Sequence, residues 1–315
     1  MSIAKISKII NLGTNREEYF ENPVQDYFNI EKKSIRVLMW KKKWNFVRQT
    51  PENYWPAGSE GFILLNGYNC QARCQYCYLQ SYFKSPDIIR FVNTEDFLGF
   101  LENFIKEFRK KNPDKKLIFY DWDFKDSLGY YWLEQNINNI NALTELCAKF
   151  PDTLLEIRTK NVLPNFDLYK DLILRPNLIV SITFSPQNII DSYEQWSSNL
   201  NLRLDFAKYI SSLGWDIGIR IDPIIFDRDF DNCWQDYFDL IEEVNLLKSI
   251  INYSIWTLRL KTTLYKALKK KQSNIINNLV LEKNFRRYPL DMRNKIYTNF
   301  EKNIKNGGVY ICMDE

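Results

Sequence analysis

Short apolar runs alternate with helical stretches along this 315-residue chain. The runs are rich in β-branched and aromatic residues, which favour strands. They predict strands over residues 62–66, 116–121, 154–159, 178–183, 216–222 and 254–260. Between these runs, apolar residues recur every three or four positions, which predicts helices. The predicted helices cover residues 95–111, 132–150, 167–174, 201–213 and 234–250.

Strands that alternate with helices predict a parallel sheet joined by right-handed crossovers. Six such units are fewer than the eight of a closed barrel, so the fold class is α/β, a partial (β/α)6 TIM barrel. We expect the barrel over residues 61–260, with an N-terminal extension over 1–60. Residues 261–315 predict a basic helical C-terminal extension that ends in a short strand over 309–312.

Composition excludes several classes of protein. The chain has no histidine, which removes serine–histidine triads and imidazole-ligated metal sites. It has no apolar run long enough to cross a membrane and no secretory signal, so a cytoplasmic protein is expected. Residues 261–307 hold 12 Lys or Arg against 3 Asp or Glu. Such a charge run is either a solvated helical surface or a site for an anionic partner.

Three of the six cysteines lie within eight residues, as Cys70-Gln-Ala-Arg-Cys74-Gln-Tyr-Cys77. They follow the first predicted strand, at the end where barrel enzymes carry their active sites. Thiolates are the usual ligands of iron–sulfur clusters, and three of them leave one iron of a [4Fe–4S] cluster open. A structural zinc site needs a fourth ligand, which neither histidine nor a nearby cysteine supplies here. The motif therefore predicts a [4Fe–4S] cluster whose open iron binds S-adenosylmethionine (SAM), as in radical SAM enzymes.

The sequence around this motif resembles spore photoproduct lyase, a family of radical SAM enzymes that repair a DNA thymine lesion by breaking a carbon–carbon bond. The resemblance lies in Cys77-Tyr78-Leu79-Gln80, in residues 89–93, and in short matches at 159–160, 181–182, 222–224 and 286–288. It covers essentially the whole chain, and it implies a partial barrel of the radical SAM type with terminal extensions.

The resemblance also implies roles for single residues. Tyr76 would place its backbone against the SAM adenine, and Lys160 and Ser181 would contact the SAM carboxylate or ribose. Tyr76 and Tyr78 resemble a tyrosine pair that relays a hydrogen atom in the lyase. The alternatives are a solvated lysine at a strand end, a buried core hydroxyl and ordinary aromatic packing.

The loop after the second strand departs from the family. The lyase carries a cysteine there that gives a hydrogen atom to the product radical, and Asp123 stands in its place. Asp121 or Asp123 would hold the SAM amino group, or bind a cationic or N–H group of a peptide. The alternative is that these residues only cap turns.

The missing cysteine, the acidic loop and the mild overall basicity favour a relative of the lyase, the peptide splicease. These enzymes excise a tyramine unit from a ribosomally made precursor peptide. The expected partners are the precursor peptide, a small protein that binds its leader, and an external electron donor; DNA with a thymine photoproduct is the alternative substrate. The predicted site comprises cluster ligands Cys70, Cys74 and Cys77, SAM-binding residues Tyr76, Asp121, Lys160 and Ser181, and catalytic residues Tyr76, Tyr78 and Asp123.

Overall fold

A computed structural model describes residues 6–13, 35–43, 45–51, 54, 59–83, 87–129, 133–173, 175–194, 196–312 and 314. Its strands, β1 to β15 in chain order, are Ile6–Gly13, Ile35–Trp40, Val47–Gln49, Ser59–Leu64, Gly67–Tyr68, Ile88–Phe91, Lys116–Tyr120, Thr153–Thr159, Leu178–Thr183, Ile217–Ile224, Ile250–Thr257, Arg259–Lys261, Val280–Glu282, Phe285–Arg287 and Gly308–Ile311. Its α-helices, α1 to α8, are Leu79–Tyr82, Thr94–Lys111, Leu133–Ala148, Gln187–Tyr193, Leu200–Ser212, Phe230–Asn245, Thr262–Lys270 and Leu290–Asn303.

The central sheet has eight strands in the order β15-β11-β10-β9-β8-β7-β4-β3. Neighbouring strands from β4 to β15 run parallel, and β3 runs antiparallel to β4. Because β15 and β3 do not pair with each other, the sheet is an open, partial barrel. The six predicted strands correspond to β4 and β7–β11, so the predicted α/β partial barrel is confirmed.

The two faces of this sheet differ in chemistry. On the helix side, Leu117 and Phe119 of β7 join a large apolar core with α2 and α3. The alternate residues Ile118 and Tyr120 face the inside of the barrel, since neighbouring side chains of a strand point to opposite faces. All residues of β9 and β10 are buried, as expected where both faces of a parallel sheet are covered.

Two predicted helices and the last barrel strand differ from the structure. The described residues 167–173 form no α-helix; a 3₁₀ turn covers Phe166–Tyr169, in a short segment bounded by Pro164 and Pro176. The helix expected over 234–250 is α6, which starts earlier because Asp229 caps it by accepting from Asn232 N. The strand expected over 254–260 is β11, and it ends at Thr257. The predicted positions 132 and 174 lie outside the described residues.

The C-terminal extension is not simply helical, which corrects the prediction. Besides α7 and α8 it contains the hairpin β13–β14, which pairs with β12 in a small antiparallel sheet. Lys283 turns this hairpin with a φ of 53°. The predicted last strand is β15, which adds to the barrel beside β11.

A second sheet near the N-terminus has the order β1-β2-β6-β5. The apolar pattern of the sequence did not predict these strands. Among the described residues, no helix is both long and apolar enough to span a membrane.

Candidate active site

The cysteine loop connects β4 to α1 at the carboxyl end of the barrel strands. Asn69 and Arg73 have φ values of 67° and 46°, and these left-handed residues bend the chain around the first two cysteines. Cys77 N donates to Cys74 O over 3.0 Å, and the side-chain amide of Gln80 donates to the same carbonyl. Ala72 N lies 3.4 Å from Cys70 Sγ. Local hydrogen bonds therefore set the shape of the loop.

The three thiols suit a [4Fe–4S] cluster. Burial raises the pKa of Cys74 to about 11 and, together with the neighbouring Cys74, that of Cys77 to about 12. Thiols that are buried together become good ligands only when a metal centre supplies positive charge. No three Cys, Asp or Glu side chains of the described residues converge on a single metal ion. A cluster needs no such convergence, because each cysteine binds a different iron atom.

The other cysteines lie away from this loop. Cys147 is buried in α3 and Cys233 in α6. Cys312 follows β15 and packs inside the barrel with Tyr54, Ile118 and Tyr120. The three thiols of the loop are therefore the ones that fit a cluster.

Tyr76 points to one side of the loop, towards Glu194. The Tyr76 hydroxyl hydrogen-bonds the Glu194 carboxylate, and Lys160 Nζ donates to the Tyr76 hydroxyl. Lys160 Nζ also lies 2.9 Å from Glu194 Oε1. Arg203 Nη2 binds the other carboxylate oxygen at 2.6 Å. Glu194 therefore joins Tyr76, Lys160 and Arg203 in one buried group.

Glu194 is fully buried, which by itself raises the pKa of its carboxyl. The charges of Lys160 and Arg203 outweigh burial and hold this pKa far below its usual range. Ser185 and Ser197 add hydroxyl contacts of 3.0 and 3.3 Å. Both oxygens of the Glu194 carboxylate therefore have several partners, and this ionic group lies beside the cysteine loop.

Tyr78 points to the other side of the loop, towards Asp123. Its hydroxyl donates to Asp123 Oδ2 over 2.9 Å, and Tyr54 donates to Oδ1 over 2.9 Å. Burial raises the pKa of Asp123, although both hydroxyl donors lower it. Burial also raises the pKa of both tyrosines well above the usual value, so they stay protonated. This carboxylate has neutral donors where Glu194 has cations.

Asp121 and Asp123 face different surroundings. Asp121 accepts from Asn66 Nδ2 at 2.5 Å and from Lys125 Nζ at 2.7 Å. It lies on the side of β7 that carries Phe119, whereas Asp123 meets Tyr54 and Tyr78. Asp121 and Asp123 are therefore two separate carboxylates of the acidic loop, and a role of Asp121 towards SAM stays a prediction.

Ser181 lies on the inner wall of the barrel, at the centre of β9. It is fully buried and pairs in register with Gly218 of β10. A Cβ at position 218 would collide with Ser181 Oγ and with the Arg220 guanidinium, so only glycine fits beside them. The contact of Ser181 with SAM stays a prediction, and so does the contact of Lys160 with SAM.

The inner wall beyond Ser181 carries paired charges that the sequence analysis did not assign to the site. Arg220 binds Glu156 at 2.9 Å, and Arg158 binds Asp222 at 2.9 Å. The Arg158 guanidinium also lies 3.5 Å from the centre of the Trp122 ring. Glu194 was missed as well, because Tyr76 and Lys160 lie 118 and 34 residues away from it in sequence, and Arg203 was missed with it.

A model of the spore photoproduct lyase family matches residues 22–295. The chain belongs to the spore photoproduct lyase family. This membership agrees with the predicted cofactors, a [4Fe–4S] cluster and SAM, which are those of radical SAM enzymes.

A curated spore photoproduct lyase from Clostridium acetobutylicum is 25% identical over 179 residues, which are 56% of this chain and 49% of that protein. The match thus spans about half the length of this relative.

Two solved structures share the fold. Spore photoproduct lyase complexed with dinucleoside spore photoproduct has a TM-score of 0.72 at 15% identity, covering 90% of this chain and 84% of that one. A variant of the lyase with bound AdoMet and the same dinucleoside has a TM-score of 0.71 at 15% identity, covering 90% and 83%. The partial barrel is therefore that of the family.

Proposed function

We propose that this protein is a radical SAM carbon–carbon bond lyase that cleaves or splices the backbone of a ribosomally made precursor peptide by tyramine excision. The observation that supports the peptide is Asp123. Its carboxylate lies at the barrel mouth between Tyr54 and Tyr78, where it can accept further N–H donors. A polypeptide offers such donors along its backbone, whereas a phosphodiester next to a carboxylate is repelled.

Cys70, Cys74 and Cys77 would hold the [4Fe–4S] cluster, which together with SAM would supply a 5′-deoxyadenosyl radical for taking a hydrogen atom from a substrate carbon. Lys160, next to Glu194, and Ser181, on the inner wall, would orient SAM. Tyr78 and Asp123 meet the substrate from the other side. A small leader-binding protein and an external electron donor are the expected partners.

DNA repair is the second candidate, because the mouth carries a basic and aromatic rim. Tyr82 is 45% exposed, accepts a hydrogen bond from Arg48 Nη1 at 3.3 Å, and has Lys261 Nζ at 6.0 Å from its ring centre. Cations around an exposed ring suit single-stranded nucleic acid. The same rim also suits an acidic peptide segment, so it does not by itself choose between the two.

The test uses anaerobically reconstituted protein with SAM, a reductant and a tyrosine-containing precursor peptide. We expect 5′-deoxyadenosine by chromatography and a peptide that has lost a tyramine unit by mass spectrometry. The matched control replaces Cys70, Cys74 and Cys77 by alanine and yields neither product. Repair of the dinucleoside photoproduct with an unchanged peptide would overturn the proposal in favour of DNA.

A further inference from the structure

Of the buried hydrogen-bond donors inside the barrel that have no acceptor among the described residues, three lie on β11 or directly after β7. They are Trp122 Nε1, Trp256 Nε1 and Ser254 Oγ. Buried donors are almost always paired, because leaving one unpaired costs the free energy of its lost hydration. Three such atoms together need an explanation.

The three donors share one wall. Ser254 of β11 pairs in register with Arg220 of β10 and with Tyr310 of β15. Trp256 lies two residues further along β11, so it points to the same face as Ser254. Trp122 and Trp256 both pack on the cluster of Tyr54, Tyr120 and Cys312. The donors therefore line the inner face between β7 and β15.

The carboxylates and the amide of this wall already accept from other groups. Glu156 is bound by Arg220 and Asp222 by Arg158, while Asn252 Oδ1 accepts from Arg220 Nη1 at 2.5 Å. Asp123 accepts from Tyr54 and Tyr78. None of these groups accepts from the three donors, so a molecule bound inside the barrel would supply their acceptors.

We propose that Ser254, Trp256 and Trp122 bind backbone carbonyl oxygens of an extended substrate peptide. This inference rests on the proposed function and adds the site where the peptide lies. A strand rises roughly 3.3 Å per residue, so Ser254 and Trp256 are spaced along β11 like successive carbonyls along one edge of an extended peptide, and Trp122 approaches from β7. A pyrimidine base carries its two carbonyls on one ring, closer together, and fits this spacing less well.

The main test variant is Ser254→Ala, which removes one unpaired hydroxyl without opening a large cavity. We expect the urea midpoint of unfolding to stay the same or to rise, because no hydrogen bond is lost. The matched control is Ser198→Ala. Ser198 is also fully buried, but its hydroxyl donates to Val162 O at 3.0 Å and accepts from Val162 N at 2.9 Å. This control should lower the midpoint.

Binding is measured on the reconstituted holoenzyme with SAM by equilibrium dialysis of labelled acetyl-Gly-Tyr-Gly-amide. We expect Ser254→Ala to weaken binding by roughly three- to tenfold, the loss of one hydrogen bond. Trp256→Phe should weaken it similarly. Trp215→Phe removes the same ring volume from the helix-side core, where Trp215 is 2% exposed, and should leave binding unchanged.

The outcomes separate the two proposals. The dinucleoside spore photoproduct is dialysed in parallel as the second probe. If the wild type binds only this dinucleoside, or neither the dinucleoside nor the peptide, the peptide function is overturned and the peptide site with it. A wild type that binds the peptide, with Ser254→Ala and Trp256→Phe binding equally well, overturns the site alone. A lowered urea midpoint for Ser254→Ala also overturns the site, since the hydroxyl would then have a structural partner.

Discussion

Two tyrosine–carboxylate pairs flank the cysteine loop, and the two carboxylates differ in the groups that surround them. Tyr76 meets Glu194, which Lys160 and Arg203 neutralise. Tyr78 meets Asp123, which receives a second phenol hydroxyl from Tyr54. The first pair has a strongly lowered carboxyl pKa and the second a raised one. A buried carboxylate that is paired with cations stays ionised and has a structural role. A buried carboxylate that is paired with hydroxyl donors can still bind a ligand or take up a proton.

Of all substitutions in the two pairs, removal of Glu194 should lower the free energy of unfolding most. Glu194→Ala leaves Lys160 and Arg203 buried and unpaired, so we expect a loss of about 3–5 kcal/mol of unfolding free energy. Urea unfolding measures it. Asp123→Asn is the control on the other side of the loop, with an expected change of about 1 kcal/mol or less because no buried cation loses its partner. Equal losses at the two positions would show that the cations do not set the difference.

Removing Lys160 should have a smaller structural effect, because Arg203 still neutralises Glu194. We expect Lys160→Met to lose about 1–3 kcal/mol of unfolding free energy, the cost of one charged hydrogen bond. If Lys160 also holds the SAM carboxylate, equilibrium dialysis should show SAM affinity reduced by about tenfold. Unchanged SAM affinity with the same loss of stability would leave Lys160 a structural role only.

Substitution of Tyr76 should cost more stability than substitution of Tyr78, as for the carboxylates that they contact. Tyr76→Phe removes a hydrogen bond to a charged, fully buried group and should cost about 1.5–3 kcal/mol. Tyr78→Phe should cost about 1 kcal/mol, because Tyr54 continues to donate to Asp123. Thermal unfolding of both variants gives the ranking. A larger loss for Tyr78→Phe would contradict it.

The smallest expected effect is a change in the pH dependence of stability. The folded state raises the Asp123 pKa, so the folded protein binds a proton there at a higher pH than the unfolded chain does. Lowering the pH from neutral towards 4 should therefore stabilise the wild type relative to Asp123→Asn.

Glu194 has the opposite sign, because its pKa is lowered in the folded state. Its contribution is present above the pKa of an unfolded glutamate and is lost as the pH falls below it. Urea unfolding at several pH values, with Asp123→Asn and Glu194→Gln side by side, measures both slopes. Parallel slopes would contradict the assignment of opposite shifts.

Sequence periodicity was sufficient for the barrel but not for its additions. The runs that became β4 and β7–β11 are strongly apolar because both faces of the sheet are covered. The hairpin β13–β14 lies among lysines and arginines, where charge suggested a helix; pairing with β12 makes it a strand pair. Tertiary pairing overrode the local preference there.

The sequence by itself determined the shape of the cysteine loop, since its three cysteines, its turns and its hydrogen bonds lie within one short segment. It also determined the alternation of strands and helices, which local periodicity encodes. Only the tertiary structure decided the partners of that loop. Tyr76 and Glu194 are 118 residues apart, and Tyr54 and Asp123 are 69 apart. Such contacts depend on strand order and register across the whole sheet, which no local pattern records.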